Sequence, residues 1–162
     1  MKVLSGSYTN KEYEGEIWVN GEKQSFGSVS DAKKVGIEMV YQEVNAMYEA
    51  SVADNIFVGN LPGKGWVDYK KLYKDTQDLL DQLGLQISPK TPAGALNSGQ
   101  LQLMSIVRAM AAHPKIMVLD EPTTALTDSE VDILMNFLEN LRKSGVSCIY
   151  ISHKLEEIFR IC

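Results

Sequence analysis

Lys115-Ile116-Met117-Val118-Leu119-Asp120-Glu121-Pro122 decides the reading of this chain. An apolar run that leads straight into adjacent carboxylates reads as a fully buried parallel strand, whose C-terminal end delivers acid groups to the rim of a sheet. Such rims are where open α/β sheets bind ligands. Apolar-run-Asp-Glu also has a chemical reading: the Asp holds a magnesium ion on a nucleotide's phosphates, and the Glu orients and deprotonates a water. The plainer alternative is a core strand that ends in solvated acids, so the flanking sequence has to decide.

Downstream, Thr123 to Thr127 read as a connection, and Asp128-Ser129 are expected to cap a helix over Glu130 to Arg142. Its Val131, Leu134, Phe137, Leu138 and Leu141 form one apolar face, while Glu130 and Asp132 at its start and Arg142 and Lys143 at its end suit the helix dipole. Val146 to Ile151 follow as a second buried strand that terminates in Ser152-His153-Lys154. A strand, helix and strand joined by a right-handed crossover are parallel neighbours, which brings Asp120, Glu121 and His153 to one rim.

Upstream, Leu96-Asn97-Ser98-Gly99-Gln100 leads into a helix through Ala112, with Leu101, Met104, Val107 and Met110 inward and Asn97 or Ser98 as cap, until His113-Pro114 breaks it. Residues 44–97 read as a helical insertion. It holds a short helix within Ser51 to Val58 and a longer one capped by Asp68, with Tyr69, Leu72, Leu79, Leu80 and Leu83 as stripe and Gly84 as stop. Before it, Ile37 to Tyr41 read as a strand ending in Gln42-Glu43. A short helix over Ala32 to Val35 follows the capping residues Ser28 to Asp31, and a strand from Gly15 turns at Asn20-Gly21. Met1 to Gly6 look like the last turns of a helix stopped by glycine.

At 44% hydrophobic, 23% charged and net charge −5, the composition is that of an ordinary globular protein. The acidic balance argues against a broad phosphate-backbone-binding face, so nucleic acid is not an expected partner. Cys148 and Cys162 have neither metal-site nor disulfide spacing and read as passive, as expected in a reducing compartment.

Taken together and in order, Val40-Tyr41-Gln42, Leu96 to Gln100, Ile116 to Pro122, Leu126-Thr127-Asp128 and Ile151-Ser152-His153 resemble the Q-loop, signature, Walker B, D-loop and H-loop of an ABC transporter ATPase. Thr123 to Asp128 and Tyr41-Gln42-Glu43 are similar to the first ATPase half of tandem subunits that energise uptake of ribose, galactose and related monosaccharides. The fold implied is α/β: an incomplete P-loop ABC ATPase core over 1–43 and 98–162, with an α-helical subdomain over 44–97 that ends in the signature.

The resemblance implies ATP and Mg2+ as ligands and assigns roles. Asp120 completes the metal shell largely through water, Gln42 touches the metal and senses the γ-phosphate, Glu121 is the general base, and His153 holds the γ-phosphate and positions Glu121. Asn97, Ser98, Gly99 and Gln100, at a helix N-terminus, bind the nucleotide of a partner ATPase domain, and Asp128 belongs with them to the nucleotide-binding set. Asn97 stands where the family pattern has serine. The implied partners are a second ATPase domain in a head-to-tail sandwich, the permease subunits, whose coupling helix would enter the groove near Gln42 and residues 44–60, and indirectly an extracytoplasmic sugar-binding protein. The implied location is the cytoplasmic face of the membrane.

Nowhere in the chain is there a G-x-x-x-x-G-K-[ST] loop, which supplies most of the phosphate-binding field in P-loop ATPases. The expectation is therefore a fragment truncated before this loop, unable by itself to hydrolyse ATP, with an exposed sheet edge that favours self-association. Two other readings compete: a non-transport ABC ATPase of DNA repair or chromosome maintenance, and a catalytically silent binding module. The first is disfavoured because residues 44–97 hold no sustained heptads and no basic stripe.

Overall fold

A computed structural model describes every residue except Met1, Asn10, Lys64 and Cys162, so the reading of Cys162 lies outside the described residues. The elements are β1 (Ile17–Val19), β2 (Glu22–Gln24), α1 (Val29–Lys34), β3 (Ile37–Val40), α2 (Val52–Ile56) and α3 (Tyr69–Leu83), then a 3₁₀ turn (Ala93–Ala95), α4 (Ser98–Ala111), β4 (Ile116–Asp120), α5 (Asp128–Lys143), β5 (Ser147–Ile151) and α6 (Leu155–Ile161). The central sheet is parallel with order β3-β4-β5. Its register sets Val40 beside Leu119 and Asp120 beside Ile151, so the three strands end at one rim. β4 is buried through Met117, Val118 and Leu119, as its apolar run requires.

The sheet separates two apolar clusters. On one side Val40, Met117 and Leu119 pack with Leu103, Met104 and Ile106 of α4, Leu134 and Leu138 of α5, and Val52, Leu80 and Leu83 from the 44–97 segment. On the other, Ile37 and Val118 meet Ile17, Val19 and Phe26 from the β1–β2 hairpin region. The hairpin turns at Asn20-Gly21, where both residues have positive φ, 52° and 79°, as a type I′ turn demands. Lys2 to Gly6 are successive turns rather than an assigned helix. They nevertheless close like a helix end: Ser7 N–H donates to the Lys2 carbonyl at 2.9 Å and Gly6 N–H to that of Val3 at 3.2 Å, with Gly6 at φ 71°.

Several local expectations are corrected. α5 begins at Asp128 with Thr127 as its N-cap, because Thr127 and Glu130 form a reciprocal capping box that outcompetes Asp128 and Ser129. α1 begins at Val29, ahead of the expected Ala32. β5 is not a fully buried strand: Ser147 and Ile149 are exposed, since among the described residues no strand pairs with its outer edge. Tyr69 is exposed on the rim of α3 rather than in its apolar stripe, with its ring against that of Tyr73.

Candidate nucleotide-hydrolysis site

β4 ends at Asp120, and the chain turns sharply at Glu121, which has φ 46°. The left-handed region disfavours a non-glycine residue by roughly 1–2 kcal/mol, so the surroundings must impose it. They do: Glu121 N–H donates to the Ile151 carbonyl of β5 at 3.0 Å, and Thr124 Oγ1 donates to the Glu121 carbonyl at 3.1 Å. This turn directs the carboxylate toward the end of β5, where Glu121 Oε1 lies 2.8 Å from Nε2 of His153. The His153 side chain is 90% exposed and that of Glu121 26%, so the imidazole stands out in solvent with one nitrogen on the acid.

Asp120 is half-buried on the same rim. Gln42 is exposed, two residues beyond Val40 as Glu121 is two beyond Leu119, so it leaves the sheet at the level of Glu121. Among the described residues no group of three His, Cys, Asp or Glu side chains is disposed to hold a metal ion unaided. The carboxylates on this rim are those of Asp120 and Glu121; Mg2+ ordinarily takes one or two carboxylates from a protein and its other ligands from water and phosphate.

The Asn97 to Gln100 segment stands elsewhere, at the start of α4, and no hydrogen bond or ion pair joins it to Asp120, Glu121 or His153 among the described residues. Asn97 Oδ1 accepts from Gln100 N–H at 2.7 Å, and Gln100 Oε1 accepts from Asn97 N–H at 3.1 Å. The NH2 of Asn97 takes no part in this box. Gly99 has an intrachain neighbour that the sequence did not disclose: a Cβ there would lie 2.5 Å from Oε2 of Glu130. Asp128, the first residue of α5, is exposed.

Functional candidates missed from the sequence lie around Glu157 and Arg108. Glu157, on α6, is 6% exposed and accepts from Thr123, Tyr150 and Ser152. Burial, the largest single influence, pushes its carboxyl up; the hydrogen bonds from Tyr150, Thr123, Ser152 and Lys154 together outweigh it and leave it below the ordinary range. The Tyr150 phenol is pushed up, first by burial and then by the carboxylate it serves. Burial also raises the Cys148 thiol, which keeps it unreactive. Arg108 of α4 donates to the Asn45 carbonyl at 3.1 Å and so ties that helix to the loop that carries Gln42. Burial lowers the Arg108 guanidinium, against the raising influence of Glu38. Beside this tie lies a groove of about 680 Å³, lined by Met39, Tyr41, Glu43, Phe57 and Asn60 among others.

Residues 1–124 match the family model described as ABC transporter. The chain belongs to the ABC transporter family. Over 162 aligned residues it is 48% identical to the xylose import ATP-binding protein XylG of Moorella thermoacetica, covering 99% of this chain and 32% of that relative. Over 165 it is 42% identical to the galactose/methyl galactoside import ATP-binding protein MglA 1 of Photobacterium profundum, covering 100% of this chain and 33% of the relative. The ABC chain thus spans about a third of these relatives' length. A crystal structure of an ABC transporter ATP-binding cassette in its ADP conformation superposes with TM-score 0.81 at 23% identity, covering 99% of this chain and 66% of the other. At that identity the likeness establishes the α/β cassette fold. Among the described residues of this ABC chain, no helix is long and apolar enough to cross a membrane.

Proposed function

We propose that this chain carries the hydrolytic rim of an ATPase subunit that drives import of a monosaccharide. The observation that carries the reading is the Glu121–His153 pair: a strained glutamate at the end of a buried strand, held 2.8 Å from a histidine on the adjacent strand's end. Glu121 would take the proton of an attacking water, and His153 would steady Glu121 and face the γ-phosphate. Asp120 and Gln42 are the groups that would hold Mg2+, whose charge would offset that of the phosphates. Asn97, Ser98, Gly99 and Gln100, with Asp128 nearby on a second exposed helix start, would face a nucleotide held by a partner domain, since their own rim does not use them. Xylose and galactoside import appear in the names of the relatives and support a monosaccharide as cargo. The groove beside Gln42 and Arg108 would receive the permease and seat the subunit on the cytoplasmic face of the membrane.

The test is calorimetric titration with Mg-ATP of this 162-residue chain, beside the same domain extended through a phosphate-binding loop. The expected result is no binding by the chain into the millimolar range and clear binding by the extended form. In that form Glu121→Gln should keep binding while hydrolysis falls about a hundredfold or more, the usual worth of a general base. Micromolar binding by the 162-residue chain, or undiminished hydrolysis by the variant, would sink the assignment.

A further inference from the structure

We propose that Glu157 is a positioning residue for the Glu121–His153 pair, a carboxylate to which side chains from both sides of the rim are tied. This inference rests on the ATPase reading for its functional meaning, but the anchoring is visible without it. Thr123 stands two residues after Glu121, and its Oγ1 donates to both carboxylate oxygens of Glu157 at 2.8 and 3.0 Å. On the other side, Ser152 immediately before His153 donates to Oε2 at 2.9 Å, and Lys154 immediately after it places Nζ 3.3 Å from Oε1. Tyr150, paired with Leu119 in the strand ladder, donates its hydroxyl to Oε2 at 2.7 Å. One carboxylate therefore gathers the turn that carries the acid and both neighbours of the histidine.

The arrangement is dry where it matters: Glu157 is 6% and Thr123 2% exposed. Charge-assisted bonds in such a setting are strong, and removing the shared acceptor strands one buried donor, Thr123, and two half-buried ones, Tyr150 and Ser152, at once. Meanwhile His153 is almost fully solvent-exposed and has no packing of its own to fix it. Its rotamer depends on where Ser152 and Lys154 hold the backbone and on where the Thr123 turn holds Glu121. The left-handed backbone of Glu121 needs the same support, because strain of that kind persists only when the surroundings over-determine it. A residue remote from the reacting atoms thus sets the distance between the two side chains that face them.

The experiment is NMR on the chain itself, with the χ1 couplings and ring signals of His153 and the carboxyl carbon of Glu121 compared in the native chain, Glu157→Gln and Glu157→Ala. Native His153 should occupy one rotamer. Glu157→Ala should average its couplings and move the Glu121 carboxyl signal while amides of α3 and α4 stay in place, and Glu157→Gln, which keeps an acceptor oxygen, should fall between. A merely structural role would lower the melting temperature and leave His153 unaltered, and that result would overturn the proposal. If Glu157→Ala does not fold, Ser152→Ala and Thr123→Val each remove one tie; native His153 signals in both would overturn it equally. In the extended domain, Glu157→Gln should reduce kcat about ten- to hundredfold, as small misplacements of catalytic groups do, with KM within about twofold; an unchanged kcat would count against positioning. Because the NMR readout involves no nucleotide, failure of the extended domain to bind Mg-ATP would refute the ATPase reading while leaving the anchor tested on its own.

Discussion

Replacing Gly99 by alanine should reverse the sign of its effect when Glu130 is removed. In the native chain a Cβ at position 99 would lie 2.5 Å from Oε2 and 2.8 Å from both Cδ and Oε1 of Glu130, distances that real Cβ atoms do not tolerate. The carboxylate is the end of a flexible side chain, but it is engaged: Oε2 accepts from Thr127 N–H and from Thr127 Oγ1, each at 2.8 Å, in the capping box of α5. Gly99→Ala must push Glu130 off that cap, which destabilises by about 1–2 kcal/mol. Against it stands the helix propensity of alanine over glycine, worth up to ~1 kcal/mol and less near a helix start. The net is a loss of roughly 0–2 kcal/mol, or a fall of about 0–8 °C in melting temperature for a domain of this size. In Glu130→Ala the clash partner and its half of the capping box are already gone, so adding Gly99→Ala should raise stability, by up to ~1 kcal/mol. The assay is a double-mutant cycle by urea denaturation of the four proteins. Additivity within about 0.5 kcal/mol would refute the contact as the reason for glycine there.

Asn55 is 1% exposed and holds the turn before α2: its Oδ1 accepts from Met47 N–H at 2.8 Å, while Nδ2 donates to the carbonyls of Ser51 at 2.9 Å and Met47 at 3.0 Å. Asn55→Ala should destabilise by about 2–4 kcal/mol in urea denaturation, because buried backbone groups lose their partners; a loss under ~1 kcal/mol would show that water replaces them. Acid stability checks Glu157. Its folded-state carboxyl is held below the ordinary value, so its contribution is complete above about pH 4.3 and is lost as pH falls through the folded value. The native-minus-Glu157→Gln difference in stability should therefore shrink below that pH, and a difference flat from neutral to acid would contradict the network. The outer edge of β5, with Ile149 38% exposed, should support concentration-dependent association by light scattering, abolished by Ile149→Lys. A compact monomer at all concentrations would count against it.

What the chain's own pattern determined was everything carried by local periodicity and end signals. The run Ile116 to Leu119 can only be buried, so it became the central strand, and Asp120-Glu121 had to emerge at its rim. Gly84 and Asp68 bounded α3, and the pair Asn97-Ser98 marked the start of α4, where the structure makes Asn97 the cap. Connection handedness then placed His153 on the same rim as Glu121, which is where the structure holds it. What only the tertiary structure decided was which distant groups share one point in space. Nothing in a row of letters marks Glu157 as buried, since an acid on a short surface helix ordinarily faces water; it is buried because Thr123, Tyr150 and Ser152 converge there from two strand ends. Gly99 reads as an opening for a phosphate, and only the fold reveals Glu130 lying against it. The half-exposure of β5 likewise follows from its place at the end of the β3-β4-β5 order, with no strand on its outer edge among the described residues, rather than from its own apolar residues. Local chemistry sets the period and ends of each element, whereas burial, strain and shared hydrogen bonds depend on contacts between segments far apart in the chain.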